Sequence, residues 1–454
     1  MAKDTYIERK TIFVQYLNLM LMEWSKYNFF FESDKFDCCF VYNSLSNAFL
    51  KLDRSTFKIL SELKNNVNLE IESSLRLVLI ENKILVNSNA EEFLKFKALK
   101  MLKRYDKSSL SLTIAPTSDC NFRCQYCFEN SPEPIYMNDN TEDKLMQFIQ
   151  QYKKINYLSI TWYGGEPLMA FDRVISITKK IESLNVNFES SIITNGYYLT
   201  DEVINSLDFL HVTMVHVTLD GLQEMHNKRR PEKSGNNSFK KIIENIERFK
   251  DSKTKAKLVI RINVDKENMG EYHKLYSFLQ EKFNNTIVNI YPGFVKKTYG
   301  ECPCSEAMLL SNEEQASFVI EQYKKYNIID NSHFLPSVNF TECLARCINA
   351  FLISPDGYLY KCWTDLGNTN KSIGNLFNDD VQLENLSKYL VGGDPFSDPQ
   401  CMSCKFLPIC GGGCPHLKLK KIFEASKVDL CHISKRRIYD FLELYYERFS
   451  KGIN

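Results

Sequence analysis

The chain has 454 residues, about three times a typical domain of ~150, so two or three domains with well-buried cores are expected. Its 44% hydrophobic, 13% aromatic and 25% charged residues are those of an ordinary globular protein and exclude a disordered or collagenous chain. Lysine plus arginine outnumber aspartate plus glutamate by only 57 to 56, so no global field marks a polyanion binder, and nucleic acid is not an expected partner.

Residues 1–105 contain neither Gly nor Pro, which implies helices and strands joined by polar turns. The apolar stretch Ile12–Trp24 is broken by Gln15 and Asn18, lacks a small-residue cleavage site and is too short for a membrane span of ~20 residues. Phe36–Phe49 reads as an extended pair with Asn and Ser at its turn, and Arg54–Leu63 as a helix behind an Asp53 cap. A helix over Ile71–Val78, a strand over Lys83–Val86 and a helix over Ala90–Tyr105 follow. This order fits a winged-helix-like module; a purely structural extension is the alternative. From Leu110 to Tyr291 short apolar strands alternate with amphipathic helices. The strands are Ser111–Ala115, Tyr157–Trp162, Ser190–Thr194, Met214–Leu219, Lys257–Val264 and Thr286–Ile290. Helices over Glu142–Tyr152, Arg173–Leu184, Phe239–Phe249 and Glu271–Phe283 separate them. Six such units favour parallel pairing through right-handed crossovers, an α/β partial (β/α)6 barrel of TIM type with its chemistry at the carboxyl ends of the strands. Beyond residue 300 the repeat stops, and Gly and Pro concentrate in Val391–Pro415. Such a loop-rich region needs cross-links that bound metal can supply. Ser434–Phe449 reads as a closing amphipathic helix. The expected division is 1–105, 106–300 and 301–454.

The fifteen cysteines are clustered. Cys38 and Cys39 stand on an expected strand, face opposite ways and read as structural. Ten lie beyond residue 300. A cytoplasmic, reducing compartment is expected, which favours thiolate metal ligands over disulfides. Directly after the first barrel strand comes Cys120-Asn-Phe-Arg-Cys124-Gln-Tyr-Cys127. Three thiolates at this spacing can wrap one metal cluster and leave one of its irons open to a substrate; a zinc knuckle or buried thiols are the alternatives. The second strand ends in Tyr163-Gly164-Gly165-Glu166-Pro167, where two glycines permit close backbone approach and a glutamate can accept from a ligand ammonium. The next two strands end in Thr194-Asn195-Gly196 and Thr218-Leu219-Asp220-Gly221.

In these motifs the sequence resembles the radical S-adenosylmethionine (radical SAM) enzymes. Cys120, Cys124 and Cys127 match the family's cluster motif with Tyr126 at its aromatic position, and Gly164, Gly165, Glu166 and Pro167 match its GGEP motif. The resemblance implies a [4Fe-4S] cluster whose open iron is chelated by the amino and carboxylate groups of S-adenosyl-L-methionine. One-electron reduction would then yield a 5′-deoxyadenosyl radical that abstracts a substrate hydrogen. Asn195 and Thr218 match positions that contact the ribose or the methionine part, and Arg261 and Asn263 lie on a strand that often contributes; a structural role is the alternative for all four.

The carboxy-terminal cysteines resemble the SPASM extension. Cys347 is followed after nine residues by Gly357 and after four more by Cys362; then come Cys401-x2-Cys404-x5-Cys410-x3-Cys414 and Cys431. The resemblance implies two auxiliary [4Fe-4S] clusters, three in all: a distal one on Cys401, Cys404, Cys410 and Cys431, and a proximal one on Cys347, Cys362 and Cys414. Cys343 is the candidate fourth proximal ligand, with Cys302 and Cys304 competing; without one, an open iron could bind a substrate thiol. A structural zinc on Cys401, Cys404, Cys410 and Cys414 is the alternative. Sulfatase-maturing members carry an acid immediately after the cysteine matching Cys362; here that position is Trp363, with Asp365 only nearby, so formylglycine formation is not favoured. Thr218 to Gly221, His226 and Arg229-Arg230-Pro231 resemble maturases of ribosomally made peptides, as does the amino-terminal module, whose counterpart adds a leader peptide as a strand. The expected activity is a radical SAM oxidoreductase that cross-links a precursor peptide carrying a leader, foremost through a thioether, served by a flavodoxin or ferredoxin-type reductant. Carbon–carbon or carbon–oxygen cross-linking, sulfatase-maturase-like protein oxidation and a non-catalytic electron carrier or redox sensor are the alternatives.

Overall fold

The computed structural model describes residues 22–129, 133–283, 286–296, 306–329, 336–378 and 380–451. Cys302 and Cys304, and most of the apolar stretch that starts at Ile12, lie outside them.

The first module begins with β1 (Glu23–Trp24), β2 (Asn28–Glu32), β3 (Cys39–Asn43) and β4 (Phe49–Leu52). Helices Arg54–Asn65 and Ser73–Glu81, β5 (Leu85–Val86) and helix Asn89–Arg104 complete it. Strands β2, β3 and β4 form an antiparallel meander, and β1 pairs with β5. Asp53 starts its helix as expected, its carboxylate accepting from Thr56 N at 2.7 Å. The expected extended pair begins three residues late and belongs to a three-stranded sheet. The run Asn28-Phe-Phe-Phe-Glu32 has no polar alternation to announce β2, because both of its faces are covered. Cys39 joins Val41, Leu52, Leu60 and Leu63 under the helices, whereas Cys38 joins Phe29, Phe40, Phe406, Ile409 and Leu442 on the other face. The two thiols are structural and face opposite ways, and the carboxy-terminal region builds one wall of the module.

The barrel strands are β6 (Ser109–Ile114), β7 (Tyr157–Trp162), β8 (Phe188–Thr194), β9 (Val212–Leu219), β10 (Lys257–Val264) and β11 (Ile287–Phe294). They pair in parallel in chain order, each flanked by helices such as Asp139–Gln151, Phe171–Glu182, Ser238–Asp251 and Tyr272–Phe283. Side chains buried on both faces, as in the apolar run of β10, make one continuous core that also takes in Trp162, Phe239 and Phe283. The sheet does not close. Beyond β6 it continues into β12 (Ala350–Ile353), parallel to β6, and then the antiparallel β13 (Tyr358–Tyr360) and β14 (Gly374–Asn375), nine strands in all. Residue 300 is therefore a boundary of sequence character and not of the sheet. A four-residue run such as Ala350-Phe-Leu-Ile353 is too short for periodicity to reveal. The closing helix spans Ile438–Ser450. No helix among the described residues is long and apolar enough to cross a membrane.

Candidate functional site

The site lies where β6 to β10 run out. The loop leaving β6 carries Cys120, Cys124 and Cys127, and the glycines after β7 fit against its backbone. Gly164 N–Cα adopts φ +112°, and a Cβ on it would stand 2.5 Å from Thr117 O. A Cβ on Gly165 would stand 2.2 Å from Asp119 O. Hydrogen bonds hold the approach: Gly165 N donates to Thr117 O (3.2 Å) and Glu166 N to Asp119 O (2.8 Å). Pro167 opens a short helical turn behind it. The Glu166 carboxylate is fully buried and accepts from Thr194 Oγ1 (2.7 Å), Asn195 N (2.7 Å) and Leu168 N (3.0 Å). Burial raises its pKa, and those donors oppose the rise. Glu166 thus fastens the third-strand loop to the second, a placement that leaves its oxygens turned inward.

Asn195 lies beside the cysteine loop, with Nδ2 donating to Asn121 Oδ1 (2.8 Å) and approaching Cys120 Sγ at 3.9 Å. Tyr126 is the hub behind the cysteines. Its hydroxyl donates to Asp220 Oδ1 (2.7 Å) and accepts from Arg230 Nη1 (2.7 Å) and Asn263 Nδ2 (2.8 Å). Arg229, 2% exposed, spreads over Asp220 (2.9 Å), Asp265 (2.8 Å) and Glu267 (2.8 Å). The backbone around it is laid along the cysteine loop, Arg123 N donating to Pro231 O (2.9 Å) and Lys233 N to Asn121 O (2.8 Å). Asp220, Arg229 and Arg230, which the sequence associates with a substrate class, brace the cysteine loop. His226 is fully buried, and burial holds it well below its ordinary pKa and neutral.

The thiols fall into three groups, each sharing one electrostatic neighbourhood. Burial pushes Cys120 and Cys127 up to about 12; Glu166 and then Cys124 and Cys127 add to the first, Glu129 and Cys124 to the second. Burial pushes Cys362 up to about 12 with Cys414 adding, and raises Cys343 with Cys414 adding. Cys347, raised to about 11 by burial and Glu342, also feels Cys343. Cys401, raised to about 11 by burial, feels Cys410, which in turn feels Cys404 and Cys431. Cys343 therefore stands with Cys347, Cys362 and Cys414. The thirteen described cysteines are all free. Among the described residues no three His, Cys, Asp or Glu side chains converge on one ion position.

A cavity of about 900 Å³ opens between the barrel end and the carboxy-terminal cysteines. Tyr126, Thr218, Arg261 and Asn263 line it on the barrel side, and Cys410, Cys414 and Cys431 on the other. Asn263 Oδ1 is buried with no hydrogen-bond partner, and the Arg261 guanidinium lies over Gly293, where a Cβ would meet its Nε at 2.0 Å. A zwitterionic ligand with hydroxyls would find there a cation, an open acceptor and a polar wall. Trp363 also lines the cavity, stacked on Tyr163 with ring centroids 4.8 Å apart and donating from Nε1 to Thr113 Oγ1 (3.1 Å). Asp365 is buried elsewhere, bonded by the Tyr389 hydroxyl, so it does not replace the missing acid at position 363. Glu129, two residues past Cys127, was not singled out by the sequence; it bonds to Tyr163, and burial raises it to about 8.

Residues 114–279 match the Radical SAM superfamily. A cysteine-type anaerobic sulfatase-maturating enzyme of Clostridium perfringens is 26% identical over 384 residues, 76% of this chain and 98% of that one. A serine-type anaerobic sulfatase-maturating enzyme of Klebsiella aerogenes is 23% identical over 325 residues, covering 65% of this chain and 77% of that one. Among solved structures, native anSMEcpe with bound AdoMet and Cp18Cys peptide has a TM-score of 0.57 at 21% identity over 76% of this chain and 99% of that one. Streptococcus suis SuiB bound to precursor peptide SuiA has a TM-score of 0.51 at 18% identity over 91% and 99%. The chain carries a radical SAM domain, related in sequence to the anaerobic sulfatase-maturating enzymes and sharing its fold with them and with SuiB.

Proposed function

We propose that the chain is a peptide maturase that binds S-adenosyl-L-methionine at a [4Fe-4S] cluster on Cys120, Cys124 and Cys127 and installs a thioether cross-link in a ribosomally made precursor. The cofactor supplies a carbon radical that abstracts a hydrogen from the substrate. Asn195, Thr218, Arg261 and Asn263 orient the cosubstrate, while Gly164 and Gly165 hold the cysteine loop at its height and Glu166 and Tyr126 lock the loops together. Two auxiliary [4Fe-4S] clusters belong to Cys343, Cys347, Cys362 and Cys414 and to Cys401, Cys404, Cys410 and Cys431. With Cys343 as fourth proximal ligand, the substrate sulfur has no iron to bind there and is held by the cavity wall. Residues 1–105 recognise the leader, 106–300 form the radical domain and 301–454 the auxiliary one; a flavodoxin or ferredoxin-type protein delivers electrons.

The observation that carries this reading is the cavity shared by the barrel-end residues and Cys410, Cys414 and Cys431. Forming a carbon–sulfur bond at a carbon radical leaves one electron to remove, and a chamber bounded by an electron acceptor suits that need. A second reading, oxidation of a protein residue in the manner of sulfatase maturation, is favoured by the sequence similarity that spans 98% of the Clostridium perfringens enzyme. Against it stands Trp363 in the cavity wall. The test is anaerobic reconstitution followed by assay of 5′-deoxyadenosine, with iron, sulfide and zinc quantified. Mass spectrometry of neighbouring short peptides and of a sulfatase-derived peptide follows, each with and without Cys120→Ala. Loss of two hydrogens from a cysteine-containing precursor supports the first reading; a sulfatase peptide as the sole modified substrate supports the second. Absence of 5′-deoxyadenosine with any peptide refutes both.

A further inference from the structure

The three cysteine groups differ in what donates to their sulfurs. At the first group the donors to Cys120 are uncharged, Phe122 N at 3.4 Å and Asn195 Nδ2 at 3.9 Å, while the buried Arg230 guanidinium acts on Cys124 through its charge. At the second, the Thr364 hydroxyl lies 3.0 Å from Cys362 Sγ, and Lys361 turns its ammonium to the carbonyls of Cys347 and Ala350 rather than to sulfur. At the third, cations point at the thiols. Lys418, 3% exposed, lies 3.8 Å from Cys401 Sγ while pairing with Asp398 at 2.9 Å. Lys435 donates to Cys431 Sγ at 3.4 Å and reaches Cys404 as well. Its sequence neighbours take the carboxylates, Arg436 pairing with Asp429 (3.1 Å) and Arg437 with Asp440 (2.7 Å).

An iron–sulfur cluster gains one negative charge on reduction. Charge-assisted donors to its thiolates therefore favour the reduced form and raise the potential. We propose that Lys435, with Lys418 behind it, tunes the cluster of Cys401, Cys404, Cys410 and Cys431 to a raised reduction potential, so that this cluster retains the electron released on cross-linking. The proposal rests on the reading that these four cysteines hold a [4Fe-4S] cluster. Both lysines are tuning residues that act through sulfur, with no contact to substrate required. Lys435 is solvent-exposed, whereas Lys418 is buried against Asp398, so Lys435 is the residue to replace.

The experiment is an EPR-monitored redox titration of the anaerobically reconstituted full chain, wild type against Lys435→Met and Lys435→Arg. The distal signal is identified as the one that survives combined replacement of Cys120, Cys124 and Cys362 by Ala. Lys435→Met is expected to shift its reduction equilibrium tenfold toward the oxidised form, about 59 mV for one electron. Lys435→Arg is expected to restore most of that shift, and the other two signals to stay in place. An unchanged or raised distal midpoint in Lys435→Met, or an equal shift of all signals, overturns the proposal while leaving the cluster reading intact. A wild-type chain with zinc, or with no surviving iron–sulfur signal in the triple replacement, overturns the cluster reading and the proposal with it.

Discussion

Replacing Gly165 by alanine tests how the glycine pair supports the cysteine loop. Its Cβ would stand 2.2 Å from Asp119 O, 2.6 Å from Asp119 C and 2.6 Å from Ser118 O, where ordinary contact begins at 3.4 Å. All three atoms are backbone, so no rotamer change relieves the clash, and Asp119 must retreat by roughly 1 Å. Asp119 is bonded directly to Cys120, and its carbonyl accepts from Glu166 N at 2.8 Å, so the retreat shifts a proposed cluster ligand and strains the Glu166 lock together. Overpacking of this kind costs about 1–3 kcal/mol, and a ~1 Å misplacement at reacting geometry costs about a hundredfold in rate. Gly165→Ala is therefore expected to fold with lowered thermal stability and to form 5′-deoxyadenosine about a hundredfold more slowly, measured by chromatography after reconstitution with iron counted in the same sample. Gly270→Ala, whose Cβ would have nothing within 4 Å and whose backbone is not left-handed, is the matched control for stability in open space. Gly165→Ala with wild-type iron content, rate and melting temperature would refute the argument that close backbone approach is what the motif provides.

Glu166→Gln sets an amide nitrogen against groups that donate to both carboxylate oxygens, a loss of about 1.5–3 kcal/mol in charge-assisted bonding; melting should fall with cluster content, whereas a change in S-adenosylmethionine affinity at unchanged stability would assign the carboxylate to the ligand instead. Arg229→Met leaves the carboxylates of Asp220, Asp265 and Glu267 short of their shared cation, expected to destabilise by about 3–5 kcal/mol in denaturant titration; a change within error would mean that the brace is dispensable. Folded Cys120 and Cys127 keep their protons to about 12, but an ordinary thiol releases its proton near 9.0. Between those values the folded apo chain binds more protons than the unfolded one, so its stability is intact below pH 9 and lost as pH climbs toward 12. Melting of the apo chain over that range should decline, and decline less in the Cys120→Ala, Cys127→Ala variant; equal slopes would contradict the assignment. Trp363→Ala removes an aromatic stack worth about 0.5–1.5 kcal/mol and should weaken peptide binding in calorimetry more than it lowers peptide-free 5′-deoxyadenosine formation; equal loss of both would place Trp363 with the radical machinery.

Much of this arrangement is legible before any coordinates. Cys120-x3-Cys124-x2-Cys127 and the loop from Gly164 to Pro167 announce themselves because contiguous residues carry them, and the alternation of strand and helix from Leu110 to Tyr291 places both at strand ends. What sequence does not convey is pairing across distance. Tyr126 meets Asp220, Arg230 and Asn263 through contacts separated by 94, 104 and 137 residues. Glu166 stands in a contiguous motif, but the donors that hold its carboxylate, Thr194 and Asn195, are supplied by a distant loop. Strand β12 escapes notice for a different reason: its partner β6 supplies the order that its own four residues lack. The buried cluster in which Lys100, Arg104 and Arg346 gather on Glu342, with Asp394 also pairing Arg104, has the same character, since each charge is unremarkable in sequence and meets its partner only in the fold.

The shared wall of the first module has a consequence for how the protein comes to exist. Phe31, Phe40 and Tyr42 are covered by Phe406, Ile409 and Leu442, and Ser33 hydrogen-bonds Glu443 across 410 residues of sequence. During synthesis, one apolar face of the earliest-made sheet must wait for almost the whole polypeptide before its partner emerges, at a pace of ~5–20 residues per second. For that interval the sheet's apolar face stays uncovered, and a chain halted before residue 406 would leave it open to solvent. The contact thereby couples the two ends of synthesis: only a ribosome that has passed the cysteines between residues 401 and 431 can release a molecule whose first module is finished.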